Sequence, residues 1–325
     1  MSKYLVAGAA GFIAARVIEL LLDQGHSVYG LDNLNNAYDV RMKTYRLAQN
    51  QKHPKFKFEK VNISDRAAIE MLDQKIGKID GVINLAARAG VRASVENPWE
   101  FVDTNVTGTL NLLELCLRNK IPKFVLASTS SIYGQDAPLP TPETAESSFP
   151  LQPYAASKKG AEALSHSYHF LHGIDVSIFR YFTVYGPAGR PDMSMFRFIK
   201  WIYEDQPLHL YGDGEQSRGF TYLDDIALGT ILGLKNVGFE IMNLGGHEVV
   251  TMNTLINKME AMIGKKAQIK SHPFPKADMR ANHADVSKAG NLLGWETQVS
   301  LDDGLRNMIA WYQNNHEWAK DIETG

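Results

Sequence analysis

The chain has 325 residues, 44% of them hydrophobic, which suggests one large α/β domain or a large domain with a smaller one. Its formal net charge of −2 gives no support for a nucleic-acid or membrane-surface partner, because both favour a strong basic bias. The single cysteine, Cys116, cannot form an internal disulfide, and its apolar surroundings predict a buried thiol in a reducing cytoplasm.

Residues 4–22 are apolar enough to suggest a signal peptide or a membrane anchor. However, glycines interrupt this stretch, and it contains Arg16 and Glu19. Nowhere does the chain contain ~18 uninterrupted apolar residues, the length needed to span a bilayer. We therefore predict a soluble, cytoplasmic protein without a membrane partner.

Strand and helix signals alternate from the start of the chain. Residues 3–7 predict a buried strand, residues 12–25 have helical spacing that ends at Gly25, and a second strand ends at Asp32. Further strands are predicted at 55–61, 80–86, 123–128 and 175–181, with helices at 102–119 and 155–173.

This alternation predicts an α/β fold, a Rossmann-type doubly wound parallel sheet with helices on both faces. The pattern loosens after residue 181, where loops rich in glycine and proline separate helical segments at 251–263 and 301–315. We predict a nucleotide-binding domain at 1–181 and a smaller mixed α/β substrate domain at 182–325, with segments around 219–245 returning to the first. Ligands in such folds bind beyond the carboxyl ends of the strands.

The stretch VAGAAGFIA places Gly8 and Gly11 between a strand and a helix, where glycines let the backbone approach a pyrophosphate. The third position of this fingerprint is Ala14, a tolerated variant. Asp32, at the tip of the next strand, is positioned to accept hydrogen bonds from the adenosine ribose. Its carboxylate would repel the 2′-phosphate of NADP, and the following NLNN supplies no arginine, so we predict NAD.

Tyr154 and Lys158 are four residues apart on a predicted helix, so both side chains lie on one face. An ammonium beside the phenol would lower the tyrosine pKa and give a usable general base. Thr129, after the fifth strand, lies where its hydroxyl could share the proton or hold a substrate oxygen. Taken alone, the Tyr/Lys pair is better explained as a solvated helix face.

Six features together resemble the extended short-chain dehydrogenase/reductase family and its nucleotide-sugar epimerase branch. They are the glycine fingerprint, Asp32, NLAA, STSSIYG, Tyr-x-x-x-Lys and RYFTVYGP, and the similarity continues to ADVSKAGNLLGW near the end. The resemblance implies a catalytic triad of Thr129, Tyr154 and Lys158, and tightly bound NAD that is regenerated in each cycle. It also implies a homodimer formed through helices around 100–118 and 154–171, although the apolar faces of these helices are equally explained by the core. Cofactor contacts are predicted at Gly8, Gly11, Phe12, Ile13, Asp32, Asn33, Asn35, Asn62, Ile63, Leu85, Ala86, Ala87, Asn105, Tyr154, Lys158 and Tyr181.

The two residues after Thr129 discriminate between reactions in this family. Relatives that dehydrate a nucleotide sugar carry an Asp–Glu pair there, and those that decarboxylate UDP-glucuronate carry a glutamate at the second position. This chain has Ser130 and Ser131, which supply no carboxylate. The resemblance therefore implies a C4 epimerase that works through a transient 4-keto sugar, with Tyr154 as the base.

Residues 180–193, RYFTVYGPAGRPDM, resemble the UDP-glucuronate 4-epimerases, in which residues matching Thr183 and Arg190 hold the C6 carboxylate. An arginine fork pairs bidentately with a carboxylate, and nearby hydroxyls satisfy its remaining lone pairs. A departure from the family is Ala277, where a glycine usually precedes the acid matching Asp278. Substrate contacts are predicted at Arg92, Thr129, Ser130, Ser131, Thr183, Arg190, Arg218 and Asp278.

Several alternatives stay open at this stage. Arg190 could instead be a surface arginine or contact a nucleotide phosphate. Arg88, an unusual residue for the family, could add positive potential near the substrate or form a salt bridge at a helix start. The nearest rival activity is UDP-glucose/UDP-galactose 4-epimerisation, or 4-epimerisation of several sugars, and a remote one is a non-catalytic NAD-binding protein. The ten histidines show no metal-ligand spacing, so we predict no metal.

Overall fold

A computed structural model describes residues 1–275 and 279–324. Its strands are β1 Lys3–Ala7, β2 Ser27–Asp32, β3 Phe56–Lys60, β4 Gly81–Asn84, β5 Lys123–Thr129, β6 Asp175–Tyr181, β7 Thr183–Tyr185, β8 Pro207–Tyr211, β9 Ser217–Tyr222, β10 Phe239–Leu244, β11 Val249–Thr251, β12 Gln268–His272 and β13 Ala281–Asn282. Its α-helices are α1 Phe12–Asp23, α2 Val40–Asn50, α3 Arg66–Met71, α4 Val91–Glu96, α5 Pro98–Val102, α6 Gly108–Arg118, α7 Pro153–His172, α8 Ser194–Tyr203, α9 Leu223–Leu232, α10 Met252–Ile263, α11 Ser287–Leu293, α12 Leu301–Asn314 and α13 His316–Ala319.

The main sheet of the described chain has seven parallel strands in the order β3-β2-β1-β4-β5-β6-β10. The order reverses between β1 and β4, so their carboxyl ends open a crevice there. This topology confirms the Rossmann-type prediction. Strand β10 lies beside β6 and α9 packs against α1, as expected for a segment that returns to the sheet. The division at residue 181 stays a prediction.

Both faces of the sheet are covered, and β1 shows why. Its alternating side chains send Val6 into a core formed with α1, α9 and α11, whereas Leu5 and Ala7 enter a core formed with α3, α6 and α7. Cys116 is buried in the second of these cores. None of the helices in the described part of the chain is long and apolar enough to cross a bilayer.

The predicted helix over 102–119 is not continuous. Helix α5 ends at Val102, residues Asp103–Thr107 form a π-helical turn, and α6 begins at Gly108. The turn buries the Asn105 side chain, whose amide donates to the Arg88 carbonyl and the Ser157 hydroxyl. A π-helical turn thus points Asn105 inward, toward α7 and the segment after β4.

A second lobe is built on smaller sheets. Strand β9 pairs with β7, β11 and β13, and β8 pairs with β12. Its core is formed mainly by α8, α10 and α12 and is rich in aromatic side chains and methionine. Strand β7 follows directly from β6 of the main sheet, so residues 182–190 pass between the two lobes at the carboxyl edge.

Candidate active site

The backbone of the glycine turn after β1 packs directly against the backbone of Leu85 and Ala86. Gly8 has a φ of +83°, and a Cβ there would lie 2.7 Å from the Ala86 nitrogen. The Gly11 amide donates to the Gly8 carbonyl at 2.7 Å and closes the turn. Gly11 precedes α1 and has no side chain that could cap the helix. The first N–H groups of α1 therefore face the crevice without a side-chain acceptor. This arrangement suits an anion such as a pyrophosphate.

Asp32 lies at the carboxyl end of β2 and is buried. One carboxylate oxygen accepts from the Ala10 amide at 3.1 Å and the other from the Leu34 amide at 2.8 Å. Each oxygen keeps a second lone pair for a ribose hydroxyl. Asn33 and Asn35 follow in a turn in which the Asn35 amide donates to the Asn33 side chain at 3.1 Å.

Helix α2 brings two buried cations to this site that the sequence analysis missed. Lys43 Nζ donates to Asn35 Oδ1 at 2.8 Å, and burial lowers the pKa of Lys43 to about 8, against the opposing effect of the Asp32 charge. Arg46 donates to the Ala10 carbonyl at 3.0 Å and the Ala188 carbonyl at 2.7 Å. Arg46 thus ties the glycine turn to the loop that carries Arg190.

Tyr154 and Lys158 both lie on α7, and Lys158 is buried, with 2% of its surface exposed. The Tyr154 ring packs edge-on against Phe101 at 6.1 Å between ring centroids. The Thr129 hydroxyl at the end of β5 lowers the pKa of the phenol, so it lies near the phenol. The structure therefore brings the three predicted catalytic side chains to one edge of the sheet.

The predicted effect of the Lys158 ammonium on the pKa of Tyr154 stays a prediction. Burial raises the pKa of the Tyr154 phenol, and the influences that lower it come from the Thr129 hydroxyl and the Arg190 charge. Burial also lowers the pKa of Lys158 to about 8, because the charged ammonium is desolvated in the protein interior. The sequence pattern indicates which groups are neighbours but not the burial that opposes their effect on the pKa.

The hydroxyl cluster after β5 is a short 3₁₀ turn, Ser130–Tyr133, with Thr129 as its N-cap. The Ser131 amide donates to Thr129 Oγ1 at 3.2 Å. Ser130 is buried and accepts a hydrogen bond from the Asn282 side chain of β13 at 3.0 Å. Ser130 therefore joins the two lobes, whereas Ser131 remains partly exposed.

The Asp192 carboxylate holds the fork of the Arg190 guanidinium. Arg190 Nε and Nη2 donate to the Asp192 carboxylate at 3.0 and 2.5 Å, and Nη2 also donates to the Ala89 carbonyl at 3.2 Å. In the described part of the chain Arg190 Nη1 makes no hydrogen bond. The Arg190 charge acts on Tyr154, so the arginine lies close to the phenol.

The other predicted cofactor residues are distributed around the same crevice. Phe12 and Ile13 open α1, and Leu85, Ala86 and Ala87 follow β4. Asn62 is exposed beyond β3, and Ile63 next to it is buried beneath Gly108. Tyr181, at the end of β6, has its hydroxyl 2.7 Å from that of Thr230. The Asn105 amide nitrogen is used inside the protein, so a cofactor contact of Asn105 stays a prediction.

The predicted substrate residues divide between the two lobes. Thr183 begins β7, and Arg218 on β9 donates to the Met279 carbonyl at 2.7 Å. The Arg92 guanidinium lies 4.3 Å from the Tyr211 ring centroid, so it contacts the second lobe. Asp278 lies outside the described residues. Arg88 forms an ion pair with Glu100 at 2.5 Å, which agrees with the salt-bridge alternative for this residue.

Comparisons with known proteins agree with this geometry. Residues 4–245 match the sequence model of the NAD dependent epimerase/dehydratase family. The chain is 53% identical over 324 residues to a UDP-glucuronate 4-epimerase of Thermodesulfobacterium geofontis, an alignment that covers 99% of this chain and 100% of the relative.

Solved structures give the same result. The fold is similar to UDP-glucuronic acid 4-epimerase from Bacillus cereus in complex with UDP-glucuronic acid and NAD, with a TM-score of 0.90, 36% identity, and coverage of 96% of this chain and 99% of that one. It is also similar to UDP-glucose 4-epimerase from Thermotoga maritima with UDP-glucose, with a TM-score of 0.90, 29% identity, and coverage of 97% and 99%.

Proposed function

Because the chain belongs to the NAD dependent epimerase/dehydratase family, we propose that it is an isomerase that inverts C4 of UDP-glucuronate to give UDP-galacturonate. The observation that carries this proposal is the position of Arg190, a partner for a sugar carboxylate, beside the Tyr154 phenol. A relative of the same length with 53% identity has this activity as its name, and a solved structure with 36% identity holds UDP-glucuronic acid and NAD.

NAD is the cofactor, and the glycine turn fits it. A side chain at Gly8 would collide with the Ala86 backbone, and the uncapped start of α1 offers N–H groups to a pyrophosphate. Asp32 would hold the adenosine ribose. Lys43, which donates a hydrogen bond to the Asn35 side chain, lies at the same strand end. The chemistry that bound NAD supplies is reversible two-electron oxidation of the sugar at C4.

Gly8→Ala is expected to lose bound NAD and to destabilise the protein by more than Gly25→Ala. Both glycines have a φ near the left-handed region, +83° and +84°, so both substitutions carry a backbone cost of about 1–2 kcal/mol. Only at Gly8 does the new Cβ meet backbone, whereas nothing lies within 4 Å of a Cβ at Gly25. Thermal unfolding and the NAD content of the purified proteins test this, and equal effects at the two positions would contradict it.

The protein's own groups supply the proton chemistry. Tyr154 accepts the proton of the C4 hydroxyl when the sugar is oxidised and returns it when the 4-keto sugar is reduced on its other face. Thr129 and Arg190 lower the pKa of the phenol, while burial raises it. Arg190, with Thr183 and the serine hydroxyls nearby, holds the carboxylate in place.

The absence of an acid at residues 130 and 131 limits the reaction to epimerisation. Ser130 is buried and bonded to Asn282, and Ser131 has only a hydroxyl. Neither residue ionises near neutral pH, so neither can act as the acid or base for a further elimination.

The direct test is to incubate the protein separately with UDP-glucuronate and UDP-glucose and to identify each product by NMR. UDP-galacturonate formed without accumulation of NADH from added NAD is the expected result. Net NADH formation would indicate a dehydrogenase, and conversion of UDP-glucose alone would overturn the choice of sugar.

A second candidate, UDP-glucose 4-epimerase, is favoured by one contact. The Asp192 carboxylate already accepts hydrogen bonds from two nitrogens of Arg190. The Arg190 charge is therefore already paired and does not require a negatively charged sugar. The similarity to the Thermotoga maritima UDP-glucose 4-epimerase at 29% identity agrees with this alternative. The two candidates share the Tyr154 chemistry and differ only in the role of Arg190.

The homodimer that the resemblance implies is part of this proposal. Trp99, Val102 and Phe170 expose 76%, 43% and 78% of their surfaces on neighbouring helices, so these apolar side chains are not part of the core. Helices α5, α6 and α7 pack side by side, and two copies related by a two-fold axis would bury this face in a helical bundle.

Val102→Glu is therefore expected to convert the dimer to a monomer, because a carboxylate would be buried without a partner at the centre of the interface. Val249→Glu is the matched control, since Val249 is similarly exposed at 38% but lies on β11 of the other lobe. Sedimentation equilibrium measures the outcome. A Val102→Glu protein with the mass of the wild type would exclude this face as the interface.

We also assign the protein to the cytoplasm. Cys116 is buried, and burial raises the pKa of its thiol, so it is unreactive and fits a reducing compartment. Cell fractionation tests this assignment, and recovery of the protein outside the cytoplasm would refute it.

A further inference from the structure

A buried ion pair joins β6 to α7, the helix that carries Tyr154 and Lys158. Glu162 on α7 and Arg180 on β6 are 3% and 2% exposed. Arg180 Nε donates to Glu162 Oε1 at 3.0 Å and Nη2 donates to Oε2 at 2.8 Å, a two-pronged bond. Burying two charges costs desolvation free energy that their mutual attraction offsets only in part. The pair is therefore expected to have a role other than stabilising the fold.

The same carboxylate holds the end of β5. Ser128 Oγ donates to Glu162 Oε1 at 2.6 Å, and Ser128 immediately precedes Thr129. Since the Thr129 hydroxyl lowers the pKa of the Tyr154 phenol, the Glu162–Ser128 bond fixes the strand end that carries this hydroxyl.

Glu162 also lies four residues after Lys158 on the same face of α7. Burial lowers the pKa of Lys158 to about 8, and the Glu162 charge opposes that effect. Other ionisable groups around this region are Tyr154 and Lys159 on α7, Arg180 on β6, Tyr133 in the 3₁₀ turn, and Glu143. Of these groups, Glu162 is the one whose charge raises the pKa of Lys158.

We propose that Glu162 is a positioning residue for the epimerisation, which fixes Thr129 through the hydrogen bond to Ser128 on β5 and lies one helical turn from Lys158 on α7. It thus joins both halves of the reacting centre without touching the substrate. Arg180 donates to both carboxylate oxygens and so fixes the orientation of the Glu162 side chain. This inference rests on the proposed function for its kinetic readout, but its electrostatic part can be measured without substrate.

Glu162→Gln is expected to move the alkaline limb of kcat to lower pH. The Lys158 pKa is already lowered, its ammonium is present below that pKa, and activity is lost as the pH rises through it. Removing the carboxylate removes an opposing influence, so the limb shifts downward by about one pH unit or more. NMR of ¹⁵N-lysine-labelled protein, with the signal assigned by Lys158→Arg, should show the same shift.

Ser128→Ala is the matched control, because it removes the bond to β5 and leaves the charge in place. It should lower kcat without moving the alkaline limb. A folded Glu162→Gln protein with the wild-type limb and the wild-type Lys158 titration overturns the proposal. If Glu162→Gln is unfolded by circular dichroism, the neutral pair Glu162→Gln/Arg180→Gln replaces it, and the same shift is expected. The Lys158 titration holds or fails independently of which sugar the wild type converts.

Discussion

Tyr154→Phe is expected to abolish epimerisation of UDP-glucuronate while leaving NAD bound. The substitution removes the only group at the reacting centre for which we propose proton exchange with the C4 hydroxyl, and positioned general bases contribute about 10²–10⁴-fold to such rates. The loss should appear in kcat, since the phenylalanine ring retains the edge-on contact with Phe101. Product formation followed by NMR and the NAD content of the purified variant measure the two parts of this prediction.

Tyr168→Phe provides the matched control. Tyr168 lies on the same helix, and its hydroxyl bonds to Glu114 away from the reacting centre. Its loss should leave kcat unchanged. A Tyr154→Phe enzyme that keeps a tenth or more of wild-type activity would show that the proton leaves by another route, and the proposed mechanism would then be wrong.

The protonation state of the Tyr154 phenol determines whether Tyr154 can accept a proton from the sugar. In the protein alone burial keeps its pKa above the ordinary value, so the phenol is protonated at neutral pH. Thr129 and Arg190 act in the opposite direction, and a positive charge brought in by oxidised NAD would add to their effect. The phenol would then lose its proton only when NAD is bound, so Tyr154 would act as a base only in the complex with NAD.

Much of the architecture could be predicted because it depends on local patterns. Short apolar runs alternating with amphipathic segments gave the parallel sheet, and β1 shows the two-sided burial that produces such a run. Since functional groups in these folds gather at the carboxyl strand ends, Asp32 and Thr129 could be located from their positions after strands.

The missed parts depend on long-range burial. Helix α2 carries few apolar residues, so Lys43 and Arg46 gave no signal that they would be buried at the cofactor turn. The π-helical turn around Asn105 arises from contacts to Arg88 and Ser157, which are distant in sequence. By contrast, the acid that pairs with Arg190 is only two residues away and could have been considered.

Arg190→Ala is expected to reduce kcat/KM for UDP-glucuronate by roughly 10- to 150-fold, with a much smaller loss on UDP-glucose. Hydrogen bonds to a charged group contribute about 1.5–3 kcal/mol, which corresponds to that range. The sugar carboxylate can reach Arg190 through the free Nη1 group or by displacing Asp192. UDP-glucose has a hydroxymethyl group in place of the carboxylate, so it lacks the bidentate ion pair and loses only a single hydrogen bond.

The partner of Arg190 determines how this experiment is controlled. Arg190→Ala leaves the Asp192 carboxylate unpaired, so the Arg190→Ala/Asp192→Asn variant is measured beside it to separate loss of stability from loss of recognition. Arg190→Lys keeps the charge but not the fork, and should fall between the wild type and Arg190→Ala on UDP-glucuronate. Equal losses on both sugars in all three variants would mean that Arg190 acts on the shared chemistry through Tyr154, and that the carboxylate is recognised elsewhere.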